Sequence, residues 1–346
     1  MTGLDQLLAV SAVTFILMLA SGGWRLSGWI AAALYGVQLG LLVGLAGVGV
    51  EPATLQFSVL GHGLSWRFDS LSWFFAVITV GAAFLSTLYA AGEWSEAYRK
   101  RGGSLRQLHA ALAFNVWSML VLLSSGDLLS LFIGWELVSW ASYWLMTLSG
   151  GLAARAALRY ITYAMGGAMA LLAGIVLVHS AVGSLEFAAL VSAVPGLSNG
   201  VLWALVLLFG AGFGVKMGLL PFHLWQAAAY AETPAPGAAF LGAISSRMGL
   251  YGIAVVLVQL LGLARGLELE LVPGYFSATD LLAWVAALTI ILPTYTALRQ
   301  NDARMLLAWH GIGQGGYMLL GLVVGDALGS AGGLLHVFNY ATNQAV

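Results

Sequence analysis

The chain has 346 residues, 60% of them hydrophobic and only 8% charged, where a soluble domain carries about 25% charged residues. Its lack of cysteine excludes disulfides, cysteine-ligated iron–sulfur clusters and a thiol nucleophile, and a net charge of -1 leaves no footprint for nucleic-acid binding. What remains is an all-α, polytopic integral membrane protein, whose many glycines lie inside apolar segments where small residues let helices approach one another.

An apolar run of about 20 residues crosses the hydrocarbon core as a helix. Eleven such runs follow in order, near 4–20, 28–49, 70–91, 108–124, 128–148, 156–180, 199–220, 236–262, 279–298, 304–324 and 329–346. The first has Asp5 as its only preceding charge and no basic flank, so it reads as a retained span and not as a signal peptide. Residues 52–68 read as an extended, partly polar excursion containing Gly61, His62 and Gly63, and 184–193 as a short helix lying in the interface. A single transmembrane domain over 1–346 is expected. Residues 1–124 supply peripheral first spans, 125–262 a translocation half and 263–346 the start of a second half.

Basic residues give the orientation. Loops after odd-numbered spans hold nine of them: Arg25, Arg99, Lys100, Arg101, Arg106, Arg155, Arg159, Arg299 and Arg304. Loops after even-numbered spans hold only Arg67 and Arg265. The positive-inside rule then places the odd loops in the cytoplasm and the N-terminus outside, in a cell (inner) membrane.

Two basic residues, Lys216 and Arg247, remain inside spans, where each costs roughly 2.5–3.5 kcal/mol or more and needs a partner, a wet cavity or a function. Lys216 precedes Pro221, which lacks an N–H and should kink or break the helix. Such a break is tolerated only where protein or water satisfies the freed groups, so a hydrated site extending to His223 is expected. Glu136 lies nine residues beyond Asp127, roughly 13 Å along a helix, near mid-membrane. A buried carboxylate beside a buried ammonium lowers the cost of both, and the pair can share a proton. Arginine effectively never deprotonates, so Arg247 reads as a fixed charge tuning its neighbours. His310, His336, Tyr317 and Gln344 add polar groups to the last two spans and, with Lys216 and His223, form a candidate relay along the membrane plane. The plainer reading of Glu136 and Lys216 is a structural ion pair. Asp127 reads as a helix cap, and Trp24, Trp66 and Trp94 as interfacial anchors.

Three segments resemble the antiporter-like membrane subunits shared by respiratory complex I, membrane-bound hydrogenases and multisubunit sodium/proton antiporters. They are Gly126-Asp127 through Trp135-Glu136, Lys216-Met-Gly-Leu-Leu-Pro221-Phe-His223-Leu-Trp225 with Thr233-Pro-Ala-Pro236, and Asp302-Ala-Arg304 through Gly316-Tyr317. The resemblance runs from about residue 65 to the end. It implies an essential glutamate at Glu136, a central lysine at Lys216 on a broken helix, and a helix bundle that in the family has about fourteen spans.

The departures from the family pattern are Arg247, where a lysine or histidine is usual, and His336, Tyr340 and Gln344, where two histidines and a lysine are common. The sequence stops within the eleventh span, and the resemblance then implies either a fragment or a subunit that lacks the half bearing the second broken helix, of which a fragment is the expectation. The expected function is translocation of protons or sodium within a larger ion-pumping complex. Its partners would be other membrane subunits, the lipid bilayer, and a redox module or soluble partner that drives it. A non-transporting docking subunit, or one energising bicarbonate uptake, is the alternative. No nucleotide, flavin, cluster or metal motif is present, so no cofactor and no catalytic centre of its own are expected.

Overall fold

The computed structural model describes every residue except 1, 22, 25, 55, 56, 60 and 346, and at 21, 263–265 and 345 the backbone alone. Arg25 therefore lies outside the described residues, as does the side chain of Arg265. The chain forms two compact units: Met1–Leu158 with Glu232–Ile244 and Gln344–Val346, and Arg159–Ala231 with Ser245–Asn343.

Among the described residues, helix occupies all eleven runs read from the sequence. These are α1 (Gly3–Ser21), α2 (Ser27–Gly44), α3 (Ser70–Ala91), α5 (Leu105–Leu123), α6 (Leu128–Thr147), α7 (Gly151–Val182), α9 (Asn199–Met217) with α10 (Gln226–Glu232), α11 (Ala235–Phe240) with α12 (Arg247–Gly252), α14 (Ala278–Ala297), α15 (Ala303–Val323) and α16 (Ala327–Ala345). Three short helices join them: α4 (Glu93–Lys100), α8 (Phe187–Ala193) and α13 (Leu263–Glu268). Eight of the spans are long and apolar enough to cross a membrane. Helices α5, α15 and α16 fall short of that measure because they carry polar side chains, among them Asn115, His310, Gln314 and His336. The protein is an all-α integral membrane protein.

In the first unit the polar excursion is built from two small antiparallel pairs, β1 (Glu51–Pro52) with β4 (Arg67–Phe68) and β2 (Phe57–Val59) with β3 (His62–Leu64). Its polar groups bond to the start of α1, where Glu51 takes an orphan backbone N–H. Gly3 N donates to Glu51 at 2.7 Å, and the Thr54 hydroxyl donates to Asp5 at 2.6 Å. Helices α5 and α6 cross where a Cβ on Gly134 would lie 2.6 Å from Leu122 Cα. Only glycine permits that approach.

The second unit contains a short hairpin, β5 (Glu270–Val272) with β6 (Phe276–Ser277), leading into α14 through a Ser277–Asp280 capping box. Helices α14 and α15 pack through Gly313 and Gly316; at Gly316 a Cβ would meet Ile290 N at 2.9 Å. Between α11 and α12 the winding opens to a π-helix over Leu241–Ser245, and it does so again over Ile253–Leu260.

Candidate ion-translocation site

Helix α6 of the first unit carries Glu136. Asp127 starts that helix: one carboxylate oxygen accepts from Leu129 N and Ser130 N, both at 2.8 Å, and the other from Ser65 N at 2.7 Å and the Ser65 hydroxyl at 3.0 Å. The carboxylate of Asp127 is thus consumed as a cap. Glu136, half-buried, follows the Gly134 crossing and precedes a buried bond from the Ser142 hydroxyl to Asn115 Oδ1 at 3.0 Å. Its helix is therefore fixed against α5 on either side of it.

Lys216 belongs to the second unit, one residue from the end of α9, and is only 3% exposed. The helix stops at Gly218, with φ +71°, three residues before the proline that the sequence singles out. A side chain there would also strike the amide oxygen of Gln226. Beyond it come the cis Leu220–Pro221 bond, a 3₁₀ turn over Phe222–Trp225, and α10. Protein groups satisfy the broken ladder. Trp225 Nε1 donates to Val215 O at 2.9 Å, Leu219 N to Gly214 O at 2.9 Å, and Leu220 N to the Thr289 hydroxyl at 3.1 Å.

The ammonium of Lys216 donates to the Tyr160 hydroxyl at 2.6 Å and lies 5.1 Å from the centre of the same ring. The Tyr160 ring is 4.7 Å from that of Trp225, which closes a loop from α7 through the break to α9. Small residues make this possible: on Gly167 of α7, a Cβ would lie 3.2 Å from Gly212 O of α9. The hydroxyl that holds Lys216 gives no sign in the sequence, since Tyr160 stands 56 residues away among other span residues.

The same unit holds the remaining residues of interest. Helix α12 meets α9 through Gly249, where a Cβ would lie 2.9 Å from Met217 N. On α12, Arg247 is fully buried, donates to the Ser246 hydroxyl and to Gly311 O at 3.2 Å, and stacks on Tyr340. His223 is half-buried, with its ring centre 5.7 Å from Trp309. His310 and His336 are joined through one side chain, Gln314, at 3.2 Å and 2.6 Å. Tyr317 sets its ring 6.0 Å from His336. Gln344 lies in the first unit against Gly242.

Thus Lys216, His223, Arg247, His310 and His336 share the second unit, and Glu136 lies in the first. Tyr160 and Gln314 are the additions that the sequence reading lacks. A signal for Gln314 was present, because it follows His310 by four residues and so shares its helix face.

Similarity to known proteins fits this architecture. NADH-quinone oxidoreductase subunit N of Desulforudis audaxviator is 30% identical over 99% of this chain and 68% of its own length. F(420)H(2) dehydrogenase subunit N of Methanosarcina mazei is 27% identical over 86% of this chain and 57% of its own. Two solved structures share the fold at 24% identity, each over 99% of this chain. A chain of the archaeal membrane-bound sulfane sulfur reductase has a TM-score of 0.87 with 55% of it covered. A chain of the Mrp complex from Dietzia sp. has a TM-score of 0.85 with 36% covered. The chain therefore spans between about a third and two thirds of the proteins it matches. The family profile described as NADH:quinone oxidoreductase/Mrp antiporter, TM, matches residues 125–346, the stretch that holds Glu136, Lys216, His223, His310 and His336, and the chain belongs to that family of antiporter-like membrane proteins.

Proposed function

We propose that this chain is a proton- or sodium-translocating membrane subunit of a larger ion-pumping complex, acting through a coupled Glu136–Lys216 pair. The observation that carries the reading is Lys216: a lysine 3% exposed, beside a helix break, held by the neutral hydroxyl of Tyr160. Desolvated lysine gives up its proton far more readily than arginine. Such a group, placed where the backbone ladder is already interrupted, suits a site that takes and releases protons. Protons enter near Glu136, reach Lys216, and pass by His223 toward His310 and His336, with Arg247 as a fixed charge that tunes them. Changes in the Glu136–Lys216 separation couple the steps.

The setting is one transmembrane domain in the cell membrane, N-terminus outside and basic loops cytoplasmic, beside other membrane subunits. A redox module or other soluble partner supplies the drive. The naming of two relatives as subunits of an NADH-quinone oxidoreductase and an F(420)H(2) dehydrogenase supports that setting.

Lys216→Met in the intact complex, reconstituted in vesicles, is the test. Loss of proton or sodium translocation with assembly retained is expected, and unchanged translocation overturns the relay. Arg247, permanently charged and fully buried, favours as a second reading a docking subunit that has lost transport. There Glu136 and Lys216 form only a bridge, and exchanging the two residues preserves both assembly and activity. In a relay the exchange abolishes transport.

A further inference from the structure

We propose that Gln314 is a positioning residue whose side-chain amide couples the tautomers of His310 and His336, so that the two rings switch together; this rests on the relay reading. Helix α15 carries His310 and Gln314 four residues apart, on one face. Helix α16 comes close enough to add His336, because it crosses α15 at glycines: a Cβ on Gly321 would lie 2.7 Å from Gly333 Cα. Gln314 Oε1 then stands 2.6 Å from His336 Nε2, and Gln314 Nε2 stands 3.2 Å from His310 Nε2.

The chemistry of the three groups fixes where the hydrogens go. An amide oxygen only accepts and an amide NH₂ only donates, whereas a neutral imidazole has one nitrogen of each kind. His336 therefore carries its hydrogen on Nε2, and His310 leaves Nε2 bare with its hydrogen on Nδ1. A half-turn of the amide exchanges oxygen for nitrogen, and both bonds survive only when both rings exchange tautomers. The two arrangements contain the same number of hydrogen bonds. A mixed arrangement sets two donors or two lone pairs face to face. The carboxamide is not itself a proton acceptor at its nitrogen, so the link transmits the orientation of the rings and not the proton.

The test is ¹⁵N spectroscopy of the full chain in lipid bilayers with labelled histidine, the two rings being assigned from His310→Phe and His336→Phe samples. Wild type is expected to show opposite tautomers on His310 and His336, or their joint exchange. Gln314→Glu, nearly isosteric, presents acceptors to both rings and is expected to move the His310 proton from Nδ1 to Nε2. Gln314→Leu is expected to uncouple the rings. Like tautomers in wild type, no change in Gln314→Glu, or opposite tautomers persisting in Gln314→Leu would each overturn the proposal. If Gln314→Leu fails to fold, Gln314→Glu alone decides. The readout needs no transport, so it stands or falls separately from the Lys216→Met result.

Discussion

The guanidinium carbon of Arg247 lies 4.4 Å from the centre of the Tyr340 ring, and neither side chain is open to solvent. The ring face supplies the electron density that a carboxylate would otherwise supply, while Ser246 and Gly311 O take two of the N–H groups. Tyrosine at this position, which looks in sequence like the loss of a titratable group, is the natural companion of an arginine.

Tyr340→Leu is expected to lower the stability of the purified chain by about 1–2 kcal/mol, a cation–π contact with a desolvated cation being worth roughly 2. Tyr340→Phe keeps the ring and should lose less than half of that. Thermal unfolding in lipid discs measures both. Equal losses would move the effect from the ring to the hydroxyl.

Asp127 caps the helix that carries Glu136, and the proposed relay gives Glu136 a separate task. Asp127→Ala removes a cap and strands Ser65 N, together worth roughly 2–4 kcal/mol, and should appear as reduced folded protein. Asp127→Asn keeps an accepting oxygen and should leave translocation near wild type. Glu136→Gln should fold normally and abolish translocation. Vesicle transport assays on the matched pair separate capping from relay.

At the break the decisive residue is Gly218, with its positive φ, and not Pro221. Gly218→Ala is expected to cost about 1–2 kcal/mol from backbone conformation alone, and more because Gln226 occupies the space. Adding Gln226→Ala should recover the steric part and leave the backbone part. Pro221→Ala should not restore a continuous helix. Folded yield and unfolding temperature across the three variants give the ordering, and a Pro221→Ala defect larger than that of Gly218→Ala would reverse it.

Tyr160→Phe deletes the 2.6 Å hydrogen bond to Lys216 and keeps the ring 5.1 Å away. A bond to a charged group contributes about 1.5–3 kcal/mol, so translocation should slow by roughly tenfold or more if the bond orders the reacting geometry. Tyr160→Leu should slow it further. A Tyr160→Phe variant at wild-type speed would show that the hydroxyl serves packing alone.

The eleven helical runs, eight of them long and apolar enough to cross a membrane, were legible because apolar length is a local property, and Asp127 was legible as a cap because it stands immediately before an apolar run. The neighbourhood of the break was legible in Pro221, yet its position was not. A glycine ends a helix only when a φ above zero and a nearby group such as Gln226 select that ending, and neither shows in a string rich in glycine. Tyr160 escaped notice because its partner is a whole helix away. Gln314 showed only in its four-residue spacing from His310, because an uncharged amide adds no charge that would single it out.

The open winding on either side of Arg247 has a practical consequence. Each π-bonded residue closes its ring one position later than in an α-helix, so it turns the chain through a smaller angle. A wheel drawn at 3.6 residues per turn through 241–260 therefore drifts out of phase across the π segments, and it sets residues such as Leu257 at the wrong angle relative to Arg247. Cysteine labelling walked along this stretch should show accessibility repeating at a longer interval over 241–245 and 253–260 than over 247–252. Counting turns at 3.6 residues from Arg247 would likewise misplace the faces of 241–245 and 253–260.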